Sequence, residues 1–359
     1  MISISSPYMP NKKKYQSLVD DIYASGWITN NGPMVQRLES ALQSYLGVKN
    51  LVLVTNGTVA LQIAYRALDL TGDVLTTPFS YIATASSLAW QNLRPVYSDI
   101  DASTLNLDPA LLERAITEKT SAILPVHVFG NACEVDAIEE IGSRNNIPVI
   151  YDAAHTFGVK LNGESLLKRG TISTLSFHAT KLFHTIEGGA IMTDDDNLAA
   201  KIRRLRDFGI DTDRSIVDVG VNGRMNEFSA AMGLCVLDEI DQILTAREEI
   251  YDKYSALISD KIMRPTWAAG CTRNWHYYPL IFDSEKTLLN VVSKLEKIGV
   301  SPRRYFYPSL ESIPVLGGVG DVPVSADIAS RILCVPLYPG LKDENIDMIS
   351  ATVNNAAGV

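Results

Sequence analysis

The sequence has few cysteines and an excess of acidic residues. Its four cysteines form no Cys-x-x-Cys pair and have no metal-site spacing, which argues against a disulfide scaffold or a structural metal and favours a reducing compartment. Basic residues number 32 against 41 acidic ones, for a net charge of −9. A nucleic-acid-binding protein needs a basic face, so the composition excludes nucleic acid as an expected partner. The cysteines are Cys133, Cys235, Cys271 and Cys334.

The chain also has no long apolar run. No stretch approaches the length of a membrane span, and the first residues, MISISSPYMPNKKKYQ, have neither an apolar core nor a cleavage signal. There is no internal repeat or low-complexity segment. The sequence therefore predicts a cytoplasmic protein without a membrane partner.

Short apolar runs alternate with helical patterns between about residues 33 and 230. At 359 residues and 46% apolar content, the chain is long enough for two domains. The continuous apolar strands between helices predict an α/β fold with a mostly parallel central sheet covered by helices. The predicted strands are 51–54, 73–77, 122–128 and 148–152, and the predicted helices between them are 58–68, 80–91 and 135–146.

The last third of the sequence predicts a smaller α+β domain. Its strands are expected at 276–282 and 331–338 and a helix at 287–299. An apolar stripe from Glu227 predicts one long helix to about residue 258 that bridges the two domains. We therefore place a large domain at 1–244 and a small C-terminal domain at 245–359.

Ligands of a doubly wound sheet bind beyond the carboxyl ends of its strands, so the residues there are candidates for the site. Gly57 and Thr58 follow the first strand and open a helix. A helix N-terminus with a hydroxyl group suits a phosphate, although threonine also caps helices that bind nothing. Asp152 ends a buried strand, where a carboxylate needs either a helix to cap or a buried cation.

The stretch SFHATKLFHTIEGGA at 176–190 places Lys181 among apolar neighbours. Most lysines are exposed, so this position requires a reason. Together with the phosphate cradle, the strand-end carboxylate and the hydroxyl of Ser176, the lysine predicts a site for pyridoxal 5'-phosphate. Lys181 would form the Schiff base, and Asp152 would keep the pyridine nitrogen protonated.

Several long motifs give the chain a resemblance to the DegT/DnrJ-type sugar-nucleotide aminotransferases, which are fold type I pyridoxal phosphate enzymes. The motifs follow one another in the order expected for that family and span nearly the whole chain. They are SGWITNNGPMVQRLE at 25–39, TNGTVALQIA at 55–64, TPFSYIATASS at 77–87, DAAHTFG at 152–158, SFHATKLFHTIEGGAIMTDD at 176–195, GVNGRMNEFSAAMG at 220–233 and RRYFYPSL at 303–310.

The resemblance implies roles for individual residues. Lys181 and Asp152 are the catalytic pair, and Gly57, Thr58 and Ser176 contact the phosphate. The other implied cofactor contacts are Tyr81, which would stack on the pyridoxal ring, His155, which stands where glutamine is common and lies next to the ring hydroxyl, and Asn222, which would reach the phosphate from the neighbouring subunit. A homodimer with shared active sites is therefore expected.

The implied substrate contacts are less specific. Gly26 and its neighbours would line the sugar site, and either histidine of the lysine motif, His178 or His184, could shape it. The arginines are candidates for the nucleotide or its diphosphate, which needs local positive charge, although an exposed loop explains them equally well. The full set is Trp27, Thr29, Asn30, His184, Arg303, Arg304 and Tyr305.

The activity implied by the resemblance is transamination of a nucleotide-linked, dTDP-type 4-keto-6-deoxyhexose, with L-glutamate giving 2-oxoglutarate. The product would be a 4-amino-4,6-dideoxyhexose for deoxyamino-sugar and O-antigen biosynthesis. Three alternatives remain: a 3-keto sugar nucleotide as substrate, a dehydratase or isomerase on the same sugars, and a non-enzymatic regulatory protein that binds the cofactor. One branch of the family dehydrates with histidine in place of the lysine; the presence of Lys181 favours transamination.

Overall fold

This computed structural model describes residues 1–359. The first two thirds contain most of the strands. In chain order the elements are β1 (Ile2–Ser3), α1 (Lys12–Ser25), α2 (Pro33–Leu46), β2 (Asn50–Val54), α3 (Gly57–Ala67), β3 (Asp73–Thr76), α4 (Ala83–Trp90), β4 (Arg94–Tyr97), α5 (Pro109–Ala115), β5 (Thr120–Leu124), α6 (Val135–Asn145), β6 (Ile150–Asp152), β7 (Lys160–Leu161), β8 (Glu164–Ser165), β9 (Ile172–Ser176), β10 (Gly189–Thr193), α7 (Asp196–Arg206) and α8 (Glu227–Asp238).

The last third is built from longer helices and short strands. These elements are α9 (Ile240–Leu257), β11 (Tyr278–Ile281), α10 (Glu285–Lys297), β12 (Val300–Ser301), α11 (Pro323–Arg331), β13 (Ile332–Val335) and α12 (Asp343–Ala357). None of the helices is both long enough and apolar enough to cross a membrane.

The central sheet is mostly parallel, as the sequence predicts. It consists of a parallel block in the order β4-β3-β5 and a second block in the order β6-β9-β10-β2. Parallel bridges from Ile123 to Val149 and from Val126 to Asp152 join the two blocks. Within this sheet, β10 alone runs opposite to the other strands. The α/β architecture predicted from the sequence is confirmed.

Both faces of the sheet are covered, which explains why its strands are apolar throughout. In β2, Leu51 and Leu53 pack into the cluster formed with α1, α2 and α8. Val52 and Val54 point the other way, into the cluster formed with α3 and α7. Successive side chains of a strand alternate between faces, so a run of four apolar residues supplies both cores.

The predicted long helix is wrong in one respect. The helical pattern from residue 227 divides into α8 and α9 at Glu239, whose backbone angles (φ −107°, ψ 10°) lie outside the α-helical range. The carboxylate of Glu239 accepts hydrogen bonds from the Tyr8 hydroxyl group at 2.6 Å and from the Asn11 amide at 3.0 Å. The N-terminal segment is therefore bound at the break, a long-range contact that helical periodicity does not reveal.

Several predicted elements are shorter in the structure. The strand predicted at 122–128 ends at Leu124, and residues 128–130 form a turn of 3₁₀-helix. The helix predicted from residue 80 begins at Ala83. The strands predicted at 276–282 and 331–338 reduce to the antiparallel pair β11–β13.

The C-terminal third has a core of its own, formed by residues between Ile250 and Val353. The N-terminal strand β1 also belongs to this part of the molecule, because Ile2 and Ser3 pair with Val300 and Ser301 of β12. The domain boundary at residue 244 stays a prediction; it falls inside α9, and the first few residues lie with the C-terminal core.

Candidate active site

A cavity of about 500 Å³ lies at the carboxyl ends of the parallel strands. The turn after β2, the end of β6, the end of β9 and the β9–β10 loop all open into it. This location is where ligands bind in open α/β sheets. The sequence-predicted residues that line it are Gly57, Thr58, Tyr81, Asp152, His155, Ser176, His178, Lys181 and Tyr305.

Asp152 is the last residue of β6, and only 7% of its surface is exposed. Its Oδ2 accepts a hydrogen bond from the Thr84 hydroxyl at 2.8 Å, and its Oδ1 accepts one from the Ala154 amide at 3.2 Å. Burial raises the pKa of the carboxyl group, while the hydrogen bonds from Thr84 and Ala154 and the nearby Lys181 ammonium oppose that rise. A buried carboxylate without an ion pair provides a place for a ligand cation.

Lys181 lies in the loop between β9 and β10, on the wall of the same cavity. Burial lowers its pKa to about 8, and the Asp152 carboxylate partly opposes this shift. The flanking residues Phe177, Leu182 and Phe183 pack in the core and hold the loop in place. At pH 7, a pKa of 8 leaves about one side chain in ten as the neutral amine, far more than for an exposed lysine. Lys181 can therefore act as a nucleophile or as a base.

The phosphate cradle predicted from the sequence has a physical counterpart at the start of α3. The Asn56 side chain caps this helix by accepting from the Val59 amide at 2.8 Å. Gly57 and Thr58, whose amides belong to the first helical turn and have no partner within the helix, line the cavity. Ser176, the last residue of β9, lies next to Gly57 at the start of this helix. A Cβ at Gly57 would lie 2.8 Å from the Ser176 Cβ, so only glycine lets the helix approach the strand this closely. Helix N-termini bind anions.

The remaining walls are aromatic. His155 is buried and its ring stacks on Phe306, with centroids 5.9 Å apart and an interplanar angle of 1°. Its Nδ1 atom has no hydrogen-bond partner. Tyr81 is 60% exposed and lines the mouth of the cavity. The cavity therefore combines a flat aromatic lining with a carboxylate, an amine and an anion-binding helix end, which is what a charged planar cofactor requires.

A profile of the DegT/DnrJ/EryC1/StrS aminotransferase family matches residues 10–354. The chain belongs to this family. The resemblance predicted from the motifs is thus confirmed, and with it the expectation that the protein is an aminotransferase.

Named relatives and solved structures are similar to this aminotransferase over nearly its whole length. The dTDP-4-amino-4,6-dideoxy-D-glucose transaminase of Shigella dysenteriae is 39% identical over 361 residues, which cover 98% of each chain. The crystal structure of DesI in the presence of its TDP-sugar product is 30% identical, with a TM-score of 0.94 over 99% of this chain and 92% of the other. The PLP-form of the putative sugar aminotransferase Spr1654 from Streptococcus pneumoniae is 26% identical, with a TM-score of 0.91 over 99% and 98% of the two chains.

Some predicted substrate residues of the aminotransferase lie outside its cavity. Trp27 and Asn30 are exposed, Thr29 is half-buried, and none of the three lines the cavity. Asn222, the predicted phosphate contact from a neighbouring subunit, is exposed too, and its backbone bridges to Asp207. These four residues stay predictions that a second subunit or a bound substrate would have to complete.

His184 does not reach the cavity. It is 2% exposed, its Nε2 lies 2.7 Å from the Tyr8 carbonyl oxygen, and its Nδ1 accepts from the Ile186 amide at 3.2 Å. Both ring nitrogens therefore bind backbone. This histidine attaches the N-terminal segment to the lysine loop, and its predicted sugar contact stays a prediction.

The two arginines differ although they are adjacent. Arg303 is exposed. Arg304 is half-buried, donates to Glu285 and to the Ser330 carbonyl at 2.7 Å each, and stacks over Tyr307. Its guanidinium group is thus already paired, which leaves Arg303 as the better candidate for an anionic substrate.

The sequence reading missed several residues that shape the site. Thr84 holds Asp152 and is itself bonded to Ser80 at 2.7 Å. The Asn274 side chain donates to the carbonyl oxygens of His155 and Phe157 at 2.8 and 3.2 Å. Thr84 lies within the TPFSYIATASS motif and one helical turn from Ser80, which was a usable signal. Asn274 comes from a distant loop and offered none.

Proposed function

We propose that this aminotransferase uses pyridoxal 5'-phosphate to convert a dTDP-linked 4-keto-6-deoxyhexose to the 4-amino-4,6-dideoxyhexose, with L-glutamate as the amino donor. The observation that carries the proposal is the pairing of Lys181 and Asp152 in one cavity, across from the N-terminus of α3. The name of the Shigella dysenteriae relative supports the sugar and the nucleotide. The TDP-sugar in the DesI structure supports the nucleotide as well.

The residues present fit the cofactor. The close approach of α3 to β9 at Gly57 and Ser176 leaves amides and a hydroxyl for a phosphate. The buried Asp152 carboxylate has hydrogen-bond donors but no ion pair, so it suits a protonated pyridine nitrogen. When bound, the cofactor supplies an aldehyde that reacts with amines and a ring that stabilises negative charge on the substrate carbon.

Each residue then has a defined task. With the cofactor bound, Lys181 would hold it covalently, and as a free amine its Nζ atom would take up the proton of the donor carbon; the lowered pKa of the amine suits both roles. Asp152 keeps the ring nitrogen protonated, and Thr84 orients the carboxylate. Gly57, Thr58 and Ser176 bind the phosphate, and Tyr81 covers the ring. The same lysine serves glutamate and, in reverse, the keto sugar.

A homodimer with shared active sites is part of the proposal. Asn222 lies too far from the cavity to line it in its own subunit. It follows an exposed apolar segment that contains Ile216, Val217, Val219 and Val221, which are between 44% and 78% exposed. Exposed apolar patches mark protein interfaces, and a second copy of the chain would bury this one and bring Asn222 to the partner's phosphate site. A cytoplasmic location likewise stays a prediction from the sequence.

The decisive experiment combines a spectrum with product analysis. Purified protein supplied with pyridoxal 5'-phosphate should absorb in the visible region, and borohydride should fix the cofactor to Lys181, as peptide mass spectrometry would show. With glutamate and a panel of dTDP-, UDP- and GDP-linked 4-keto and 3-keto sugars, NMR should identify the 4-amino product from the dTDP-linked 4-keto sugar. Loss of water without gain of an amine would contradict transamination, and turnover of the 3-keto sugar alone would contradict the assigned position.

A further inference from the structure

The N-terminal segment, residues 1–11, crosses from one core of the molecule to the other. Its strand β1 pairs with β12, and the Ile4 carbonyl oxygen accepts a hydrogen bond from the Leu337 amide at 3.4 Å. Ile2 packs against the C-terminal core, whereas Tyr8 packs against the core formed with α1, α2 and α8. Beyond β1 the segment has neither helix nor strand, so long-range contacts hold it at both ends.

The same segment lies next to the lysine loop between β9 and β10 at two places. The Nε2 atom of His184 is 2.7 Å from the Tyr8 carbonyl oxygen. Closer to the start of the chain, Ser5 lines a small void that Thr180 also lines. Thr180 directly precedes Lys181 and also lines the main cavity. The segment therefore approaches the loop at residues on both sides of Lys181 in the sequence.

His184 makes its two hydrogen bonds in one protonation state. Its Nδ1 atom accepts from the Ile186 amide at 3.2 Å, and an amide N–H can only donate. A neutral imidazole carries one proton, so this proton lies on Nε2 and is donated to the Tyr8 carbonyl oxygen. Burial lowers the pKa of His184, which keeps the ring neutral at pH 7. One ring nitrogen thus binds within the loop and the other binds the N-terminal segment.

The backbone that follows His184 is strained. Ile186 has a φ of 68°, a left-handed conformation that β-branched residues rarely adopt. Its amide is bound by the His184 ring, and the hydroxyl of Thr185 donates to the Glu187 carbonyl oxygen at 2.8 Å. Strained backbone persists only where the surrounding contacts hold it. His184 is therefore one of the contacts that maintain the shape of the lysine loop.

We propose that His184 is a positioning residue for Lys181: it joins the lysine loop to the N-terminal segment, and through that segment to the C-terminal core, and so fixes the loop from which the amine reaches the cavity. A displacement of about 1 Å can slow a reaction roughly a hundredfold, so loss of this link should slow the steps that use the amine. The inference rests on the proposed function for the chemistry of the amine, but the link itself involves no cofactor.

Three substitutions separate the two hydrogen bonds of His184. In His184→Gln, the side-chain amide reaches nearly as far as Nε2 and can still donate to the Tyr8 carbonyl oxygen. In His184→Asn, the shorter side chain can bind only the Ile186 amide, and His184→Phe keeps a ring without either bond.

The rate of cofactor attachment to Lys181, followed by stopped-flow absorbance, should distinguish these variants. It should fall about tenfold to a hundredfold in His184→Phe and His184→Asn, and it should stay within about threefold of wild type in His184→Gln. Equal rates in the asparagine and glutamine variants would show that the link to the N-terminal segment does not matter, and would overturn the proposal.

The second test uses protein without cofactor. Hydrogen–deuterium exchange, measured by peptide mass spectrometry, reports the opening of the lysine loop and of the N-terminal segment separately. In His184→Phe both regions should exchange faster by roughly tenfold, because each loses a hydrogen-bond partner, and in His184→Gln both should stay close to wild type. Faster exchange in the loop alone, or in neither region, would contradict the link.

His127 provides a matched control. It is buried, and its Nδ1 atom also accepts from a backbone amide, that of Cys133, at 3.1 Å, but it lies outside the lysine loop and does not line the cavity. His127→Phe should lower the melting temperature without changing the attachment rate or the exchange of the loop. An equal loss of rate in this variant would reduce the effect to general loosening and overturn the proposal. If no visible cofactor band forms in the wild type, the proposed function fails, while the exchange data still decide whether His184 joins the two segments.

Discussion

The cofactor half of the site and its substrate half are built differently. Asp152 and Ser176 end strands, and Gly57 begins a helix. The two strands are hydrogen-bonded within the central sheet, so these residues are held by the fold of one subunit. The proposed substrate residues, such as Trp27 and Arg303, are exposed and lie on loops. The comparison shows that the proposed catalytic side chains lie together in one chain, whereas Trp27 and Arg303 lie on exposed loops outside the cavity.

The largest effect is expected for Lys181→Ala. Without the amine, neither covalent attachment nor proton transfer has a group to perform it, so turnover should fall by roughly four orders of magnitude or more. Turnover and borohydride fixation of the cofactor measure the two losses. Lys160→Ala, at an exposed position on β7, is the control and should behave as wild type; normal turnover in Lys181→Ala would remove the lysine from the mechanism.

Asp152→Asn keeps the shape of the side chain and removes its charge. The ring nitrogen would lose its counter-ion, so turnover should fall by about two to four orders of magnitude while the protein stays folded. Asp73→Asn is the control, because Asp73 is equally buried but pairs with Arg94 outside the cavity. A drop in turnover per folded molecule that is equal in both variants would show that burial, not the cofactor, accounts for the loss.

Gly57→Ala should weaken cofactor binding by roughly tenfold, since the new Cβ meets Ser176 at 2.8 Å and pushes α3 away from β9. Fluorescence titration with pyridoxal 5'-phosphate gives the Kd. Ser176→Gly alone loses a phosphate contact, but in combination it relieves the clash, so the double variant should bind more tightly than the two separate losses predict. Additive losses would mean that the two residues do not share the phosphate site.

The reactivity of Lys181 should follow pH through its lowered pKa. Burial brings that pKa to about 8, and only the neutral amine attacks an aldehyde, so the rate of cofactor attachment should rise with pH and level off above about pH 8. Because the Asp152 carboxylate raises the pKa of the lysine, Asp152→Asn should move the midpoint to lower pH. Stopped-flow absorbance measures both profiles; a midpoint near that of an exposed lysine would contradict the burial of the amine.

The smallest effects separate the two adjacent arginines. Arg303→Ala should raise KM for the sugar nucleotide by about five- to fiftyfold with little change in kcat, as expected for a charged contact to a diphosphate. Arg304→Ala should instead lower the melting temperature, since it removes the bonds to Glu285 and Ser330. If Arg304→Ala raised KM and Arg303→Ala did not, Arg304 would have to leave Glu285 and bind the substrate.

More of the proposed cofactor residues than of the proposed substrate residues line the cavity, for a physical reason. Strand-end residues such as Asp152 and Ser176 are positioned by local periodicity and by the parallel sheet, which are readable from a single chain. The break at Glu239 and the burial of His184 both depend on the N-terminal segment around Tyr8, which contacts residues more than 170 positions away. No local pattern encodes such contacts, so the unbroken long helix was predicted wrongly, and the backbone contacts of His184 were not foreseen.

Strand β10, the only antiparallel strand of the sheet, decides how Lys181 is held. Because β9 and β10 are antiparallel neighbours, the lysine loop leaves and re-enters the sheet at a single rung, where Ser176 faces Gly189. A Cβ at Gly189 would lie 2.7 Å from the backbone of Asn56, the cap of α3. Both ends of the lysine loop are therefore fixed next to the start of α3. Any movement of the Lys181 amine during turnover would have to come from rotation of its own four-carbon side chain.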